Sequence, residues 1–492
     1  MKELKNHILI SLSDSKKFSK LSADYNPMHI DENYARRLQF GGTVLHGVHT
    51  CLRLIEDVLS SGLVDSAINF KTLSVTFQSP VKTGNKIDYI ATFDSSSKLL
   101  KIVAYTNARR ALSLKISFQD IKGQSDNCLN SFQQSVVELK PENMLFPPEV
   151  NQSIKVPLAF DQALAMELFP VLVKECLSLQ LAQLLATTYV VGMKCPGLNS
   201  IFSGLKLDYM AESPSFNTDS IVYEVDKVDD RFNQVKISVF GEKIRGTIEA
   251  FFRPEPIVQS DFSVIQKMVT SNEFKNQKVL VIGGTRGLGE VTAKILAAAG
   301  ADVAITYFRG DDDAKRVCKD IQRGGGICRY SQFDVTQSSS LEQIVLNEWQ
   351  PDYIYYFATP LIEMNNSNKW DGTLFRRFCD YYVDGLAHAL EAFGFNDKGS
   401  TINKYVFYPS TIYVSESTKG FLEYATAKAA GEAFCELTHQ NQQNLLFFCP
   451  RLQRLKTDQT NAITIVDADD PVKVMYHYIS EFQQQVNDLR NI

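Results

Sequence analysis

The sequence predicts two fold classes in one chain: an α+β N-terminal part, then an α/β part with a doubly wound parallel sheet. Three observations carry this. The 492 residues amount to roughly three domains of about 150 residues each. Two N-terminal stretches share an order of elements: an apolar helix, a strand ending in an aromatic residue and Ser-Pro, then alternating strands. Further on come a short all-apolar run, a glycine-rich turn, a helix and a second apolar run, the order of a parallel sheet with crossover helices.

Hydrophobic residues make up 44% and charged residues 22%, which argues against a disordered, collagen-like or coiled-coil chain. Lys+Arg 51 against Asp+Glu 56 leaves a net charge of -5, so nothing points to nucleic acid or an anionic membrane as partner, and small-molecule chemistry gains weight. The best membrane-span candidate, residues 168–193, is interrupted by Lys174 and Glu175, and no span is expected. The start shows no secretory pattern, and the nine cysteines are scattered with no Cys-x-x-Cys pair. Reduced thiols in a cytoplasmic protein are therefore expected, without a disulfide framework or zinc site.

Polar, proline-containing stretches at 120–153 and 253–277 divide the chain into blocks 1–125, 145–255 and 275–492. In the first block a helix is expected at 46–60, a strand at 72–77 before Ser79-Pro80, and closing strands within 101–118. The second repeats the order with a helix at 168–190, a strand at 205–209 before Ser213-Pro214, and closing strands within 235–252. One long helix wrapped by an antiparallel sheet, built twice, is the plan this suggests. The last block offers strands at 278–282, 302–306 and 405–408 and a helix ending near Ala299.

The turn of the last block is Gly283-Gly284-Thr285-Arg286-Gly287-Leu288-Gly289. Glycines there let the backbone approach a pyrophosphate and point helix amides at it. Asp334-Val335 follows a later apolar stretch, Ser410-Thr411 follows the strand at 405–408, and Tyr424-Ala-Thr-Ala-Lys428 lies beyond. In this order the residues resemble the short-chain dehydrogenase/reductase family over about 275–492, which implies a Rossmann fold and a nicotinamide cofactor. The resemblance makes Tyr424 the acid or base on the carbinol oxygen. Lys428, on the same helical face, lowers the phenol pKa and holds the nicotinamide ribose. The family's hydroxyl stands 13 residues before the Tyr, at Thr411 with Ser410 adjacent; either is able to polarise the carbonyl, and Thr411 is favoured. The cofactor would contact Gly283, Thr285, Arg286, Gly287, Leu288, Gly289, Asp334, Val335 and Ala358. Where enzymes using NAD carry an acid, this chain has Tyr307, and Arg286 and Arg309 are placed to pair with a 2′-phosphate. NADP(H), and hence reduction, is expected; the competing reading of Arg309 is a loop charge balanced by residues 311–313. Two departures stand out: Phe357-Ala358-Thr359 replaces the family's Asn-Ala-Gly, and its helix Asn has no clear equivalent, with Tyr382 and Asp384 in the region.

The first block holds Asp24-Tyr-Asn26-Pro27-Met-His29-Ile-Asp31, then Phe40-Gly41-Gly42-Thr43-Val44-Leu45-His46-Gly47. A carboxylate and an imidazole five residues apart around a proline turn can share one reacting atom, and a glycine-rich helix entry offers amides to an oxyanion. Turn capping is the structural alternative for Asp24 and His29. These residues, with Val75-Thr-Phe77-Gln-Ser-Pro80-Val-Lys-Thr-Gly84, resemble the (R)-specific enoyl thioester hydratase family, the MaoC-like branch of the hotdog fold, over about 10–120. The resemblance implies that Asp24 and His29 add or remove water across C2 and C3 of an acyl thioester. Which of them takes the C2 proton stays open. It further implies that the Gly47 amide holds the thioester oxygen and that Asn26 orients the pair, while Asp31 is read as structural. The second block lacks the motif and resembles a hotdog half that lost its chemistry, as in double-hotdog hydratases. His46 and His49 are read as packing or helix-entry residues rather than a metal site, since three convergent metal ligands are missing.

The two ends imply consecutive steps, NADPH-dependent reduction of a 3-oxoacyl thioester and its dehydration to the trans-2-enoyl product. The acyl group would ride on coenzyme A or an acyl carrier protein, with no nucleic-acid or membrane partner and a homodimer left open. The alternatives are the reverse, degradative direction, an acyl-carrier-binding scaffold with one inactive domain, and a reductase acting on something other than an acyl thioester.

Overall fold

A computed structural model describes residues 2–64, 69–119, 139–210, 219–337, 349–367, 369–395, 403–416, 418–461 and 467–490. The chain forms two compact units, one running to Glu255 and the other starting at Pro256. Among the described residues no helix is long and apolar enough to cross a membrane.

The first unit contains β1 (Lys2–Ile8), β2 (Asn69–Phe77), β3 (Ile87–Asp94), β4 (Leu99–Thr106) and β5 (Arg109–Gln119). It continues with β6 (Ile154–Pro157), β7 (Ser200–Tyr209), β8 (Ser220–Asp229), β9 (Gln234–Gly241) and β10 (Ile244–Phe252). They join in one antiparallel sheet of order β1-β3-β4-β5-β2-β7-β10-β9-β8-β6. The order reads the same way outward from the β2–β7 seam, where Thr72 faces Asp208 and Thr76 faces Gly204. Strands such as β3 and β9 alternate buried and exposed residues, the period-2 pattern of a sheet covered on one face. Two helices fill that face, Gly47–Ser60 and Ser178–Tyr189, and both are buried around most of their circumference, polar residues such as Glu56 and Thr188 included.

One expectation fails here. The helix predicted over 168–190 is broken into Gln162–Leu168, Pro170–Glu175 and Ser178–Tyr189, continued by a wide turn at Val190–Lys194. Pro170 stands in the first turn of the middle helix, where its missing N–H costs nothing, and Cys176 and Leu177 are extended. The buried Glu56 carboxylate accepts the amides of Val171 and Leu172 at 2.9 and 2.7 Å. That contact holds a helix start where continuous periodicity suggested mid-helix. Ser213-Pro214 and residues 120–138 of the first polar stretch lie outside the described residues.

The second unit carries β11 (Lys278–Ile282), β12 (Asp302–Tyr307), β13 (Ile327–Gln332), β14 (Tyr353–Tyr356), β15 (Lys404–Phe407), the two-residue β16 (Ser410–Thr411), β17 (Leu445–Phe448) and β18 (Arg451–Leu452). Six form a parallel sheet of order β13-β12-β11-β14-β15-β17. After Lys278 the residues of β11 are apolar and buried, and β14 is buried throughout, because helices cover both faces. One core lies under helices Gly287–Ala298, Asp311–Arg323 and Pro471–Arg490, the other under Gly372–Cys379 and Leu422–Asn441. The strand order reverses between β11 and β14, which opens a crevice at their carboxyl ends. One pair of the cysteines read as scattered is brought together: the buried Sγ atoms of Cys318 and Cys328 lie 2.6 Å apart.

Candidate active sites

The first site is held by the turn after helix Leu12–Ser22. Ala23 closes that helix in the left-handed region at φ 59°, a cost for a residue with a Cβ, and so directs Asp24 inward. Asn26 caps the short helix Pro27–Ile30, its Oδ1 accepting the Met28 amide at 3.1 Å, and so sets His29 on the following turn. Asp31 caps the next turn by accepting the Asn33 and Tyr34 amides.

Asp24, His29 and Gly47 line one cavity of about 150 Å³, together with Thr188, Gly192 and Ser200 from the second half of the same unit. Burial pushes the Asp24 carboxyl up to about 7, opposed by the Thr188 hydroxyl and the Asn26 amide. Burial lowers His29 to about 4. His29 Nδ1 lies 2.7 Å from the Val44 carbonyl, an acceptor that requires the proton on Nδ1 and leaves the lone pair on Nε2. Gly47 opens helix Gly47–Ser60, where first-turn amides have no intrahelical acceptor. A Cβ at Gly47 would stand 2.7 Å from the Phe77 ring.

Three features were not legible beforehand. Thr188 donates to Asp24 Oδ2 at 2.8 Å from 164 residues away, so the half read as having lost its chemistry supplies a partner of the carboxylate. Gly192 leaves room for that carboxylate, since a Cβ there would overlap it. Asn26 reaches the second half as well, its Nδ2 donating to the carbonyls of Gly192 at 3.1 Å and Gly197 at 3.0 Å; it bears on Asp24 through its backbone amide at 3.2 Å. A glycine inside an apolar helical run is the one local signal that marks this region.

The expectation that convergent ligands are missing needs correction, although His46 does stand at the entry of helix Gly47–Ser60. Its ring stacks on His29 at 3.7 Å, and Asp24, His29 and His46 each bring a ligating atom within 4.8 Å of the others, so three such groups do converge. His49 stacks on Phe18 at 4.4 Å, as a packing residue would, and neither ring nitrogen has a hydrogen-bond partner among the described residues.

In the second unit the glycine turn lies between β11 and helix Gly287–Ala298, with Gly283 at φ 76° and Gly287 at φ 55°. A Cβ on Gly283 would crowd the Phe357 carbonyl and Ala358 amide at 3.0–3.1 Å, so the turn keeps a cradle that suits a pyrophosphate. Thr285 is buried, and Leu288 packs on the core beneath. A Cβ on Gly289 would strike the Gly283 carbonyl, which fixes how closely helix and turn cross. Arg286 stands at the helix cap, and Arg309 lies over the Phe308 ring at 5.0 Å. The Tyr307 hydroxyl donates to Asp311 at 3.0 Å. Asp334 accepts the Thr336 amide and hydroxyl, and the Val335 carbonyl bonds His388.

Tyr424 and Lys428 occupy one face of helix Leu422–Asn441, a turn apart. Burial raises the Tyr424 phenol to about 12, opposed by a hydrogen bond with the Thr411 hydroxyl. Ser410 points elsewhere, donating to Glu432, whose carboxylate also holds Arg451 at 3.0 and 2.7 Å. Of the two hydroxyls offered by the sequence, Thr411 is the one brought to Tyr424. Lys428 Nζ donates to the Pro409 carbonyl at 2.7 Å. In the region of the unassigned family Asn, Tyr382 is the residue beside Lys428, 4.0 Å from ring centroid to Nζ.

Residues 2–110 match the family described as "MaoC like domain", and residues 277–349 match "short chain dehydrogenase". A 3-hydroxybutyryl-CoA dehydratase of Methylorubrum extorquens is 33% identical over 79 residues, 16% of this chain and 50% of that protein. A short-chain dehydrogenase/reductase homolog, YusS of Bacillus subtilis, is 34% identical over 70 residues, 14% of this chain and 64% of that protein. The chain thus spans less than two thirds of the length of these curated relatives. Among solved structures, a short-chain type dehydrogenase/reductase from Mycobacterium ulcerans matches at 20% identity and TM-score 0.38, covering 43% of this chain and 83% of that one. A short chain dehydrogenase from Burkholderia cenocepacia in complex with NADP matches at 19% and 0.38, covering 42% and 90%. The protein carries a MaoC-like dehydratase domain at its N-terminus and a short-chain dehydrogenase domain later in the chain.

Proposed function

We propose that the chain is a bifunctional acyl-thioester enzyme that reduces a 3-oxoacyl thioester with NADPH to the (R)-3-hydroxyacyl thioester and dehydrates it to the trans-2-enoyl product. The observation that carries this reading is the pairing, in one chain, of Tyr424–Thr411–Lys428 with Asp24–His29–Gly47, constellations whose reactions are consecutive. The first unit is read as a double hotdog, with 1–125 as the catalytic half and 145–255 as the half that completes the cavity wall. Residues 275–492 are read as the reductase domain.

Bound NADPH would supply the hydride taken up at C3. Thr411 polarises the C3 carbonyl, Tyr424 passes its phenolic proton to that oxygen, and Lys428 holds the ribose side of the site. In the dehydratase site the Gly47 amide holds the thioester oxygen while C2 loses its proton. Asp24 and His29 carry that proton and the C3 hydroxyl away on one face, as water. A carboxyl near 7 and a neutral imidazole suit this exchange at physiological pH. Tyr307 in place of an acid, with Arg286 and Arg309 nearby, supports a 2′-phosphate on the cofactor. The name of the Methylorubrum relative supports a 3-hydroxyacyl-CoA as substrate class, with an acyl carrier protein as the other carrier.

The test is incubation of the purified chain with 3-oxobutyryl-CoA and NADPH, following cofactor loss and enoyl formation. Tyr424→Phe should abolish reduction and spare dehydration, and Asp24→Asn should do the reverse. Full rate in either variant refutes that site, and equal use of NAD refutes the NADPH reading and favours the degradative direction.

A further inference from the structure

Lys428 sits in surroundings that the reductase reading leaves unused. It is buried on helix Leu422–Asn441, where loss of water lowers its ammonium to about 7. The ionisable groups that face it are Glu432 and Cys435 on its own helix, Cys449 beyond β17, and the phenols of Tyr382 and Tyr408. Glu432, the carboxylate among them, is engaged by Arg451 and Ser410. What meets the ammonium at close range is the Pro409 carbonyl and two aromatic faces, with centroids 4.0 Å away for Tyr382 and 4.8 Å away for Tyr408. A cation over a ring face is attracted by the ring quadrupole, more strongly where water is excluded.

These two rings are built into place. Tyr382 is fully buried in the wide turn Asp380–Asp384, and its hydroxyl is 2.7 Å from that of Thr359. The Tyr408 hydroxyl donates to the Tyr382 carbonyl at 3.2 Å, linking the two. It reaches that carbonyl by crossing helix Leu422–Asn441 at Gly431, where a Cβ would overlap the Tyr408 hydroxyl. The glycine lies three residues beyond Lys428, so one helix face carries both the cation and the gap that admits its second ring.

We propose that Tyr382 and Tyr408 are positioning residues of the reductase, their ring faces seating the Lys428 ammonium one helical turn from Tyr424. The seat rests on the reading of Tyr424 and Lys428 as the reductase pair. Tyr382 lies in the region where the resemblance expects an amide side chain.

The experiment replaces Tyr382 in the full chain by phenylalanine, monofluorophenylalanine and trifluorophenylalanine, which keep the shape of the ring while draining charge from its face. Lys428 is titrated by NMR of the chain labelled with carbon-13 at lysine Cε, its signal assigned with Lys428→Met. The pH profile of NADPH-dependent reduction of 3-oxobutyryl-CoA is measured alongside. Tyr382→Phe should leave the Lys428 titration in place, and fluorination should lower it stepwise, by about half to one pH unit at the trifluoro ring. The alkaline limb of the rate profile should follow. A titration that stays flat across the series overturns the proposal. So does a full drop already in Tyr382→Phe, which would assign the effect to the hydroxyl bond with Thr359. Full reduction by Tyr424→Phe would instead remove the reductase reading, and the NMR titration would still judge the aromatic seat.

Discussion

Replacing Thr188 by valine removes one hydroxyl from the wall of the dehydratase cavity and nothing else of comparable size. That hydroxyl donates to Asp24 Oδ2 at 2.8 Å within a fully buried environment. A hydrogen bond to a charged group is worth about 1.5–3 kcal/mol, and it favours the ionised carboxylate over the neutral acid. Its loss should therefore raise the Asp24 pKa from about 7 by about one to two units, at 1.36 kcal/mol per unit. The assay is the pH dependence of kcat/KM for hydration of a 2-enoyl-CoA. Whether Asp24 acts as base or acid, the limb it governs should move to higher pH by that amount. If it acts as base, the rate at pH 7 should fall about five- to fiftyfold, since the ionised fraction drops from about one half. The matched control is Thr187→Val, whose hydroxyl bonds the Leu184 carbonyl at 2.7 Å and which should leave the profile in place. A Thr188→Val protein with native circular dichroism and an unmoved limb, or one moved to lower pH, would refute the reasoning.

Other substitutions probe the same sites. Gly192→Ala should cut dehydratase kcat at least tenfold at little change in secondary structure, because its Cβ displaces the Asp24 carboxylate at an overpacking cost of about 1–3 kcal/mol; unchanged kcat would count against the Asp24 assignment. His49, held neutral with a pKa near 3 by burial, contributes stability that is complete above its unfolded pKa of about 6.5 and is lost as pH falls below it. His49→Phe should accordingly raise the Tm of the dehydratase unit more at pH 5 than at pH 8; an equal gain at both would show that packing alone is responsible. Thr411→Val should lower reduction by about tenfold or more through loss of its contact with the Tyr424 phenol, and Ser410→Ala should spare kcat, a pattern read by steady-state rates and reversed if Ser410 is the working hydroxyl.

Elements with strictly local causes were legible in the sequence. β11, expected over 278–282, spans Lys278–Ile282, because a parallel strand buried on both faces has to be an uninterrupted apolar run bounded by turn residues. Helix Gly47–Ser60 differs by one residue from its expected start, since His46 caps it from an extended conformation. The helix expected over 168–190 failed because its break depends on Glu56, more than a hundred residues away, which no local pattern contains. Asp24, His29 and Gly47, candidates from motifs no more than about 23 residues apart, line one cavity. Thr188 and Gly192 were missed because they have meaning only through the Asp24 carboxylate they meet.

The sequence by itself determined most of the order of elements, the parallel character of the second unit and the candidate side chains at each end, because periodicity, turn chemistry and short spacings are local properties of a chain. Tertiary structure alone decided which groups tune them. It brought Thr188 onto Asp24, His46 against His29, Thr411 rather than Ser410 to Tyr424, and two tyrosine faces onto Lys428. The physical reason is that proton affinity is set by burial and by neighbours within a few ångströms. Those neighbours come from β-sheet pairing and helix packing between segments far apart in the chain, which exist only once the fold has formed.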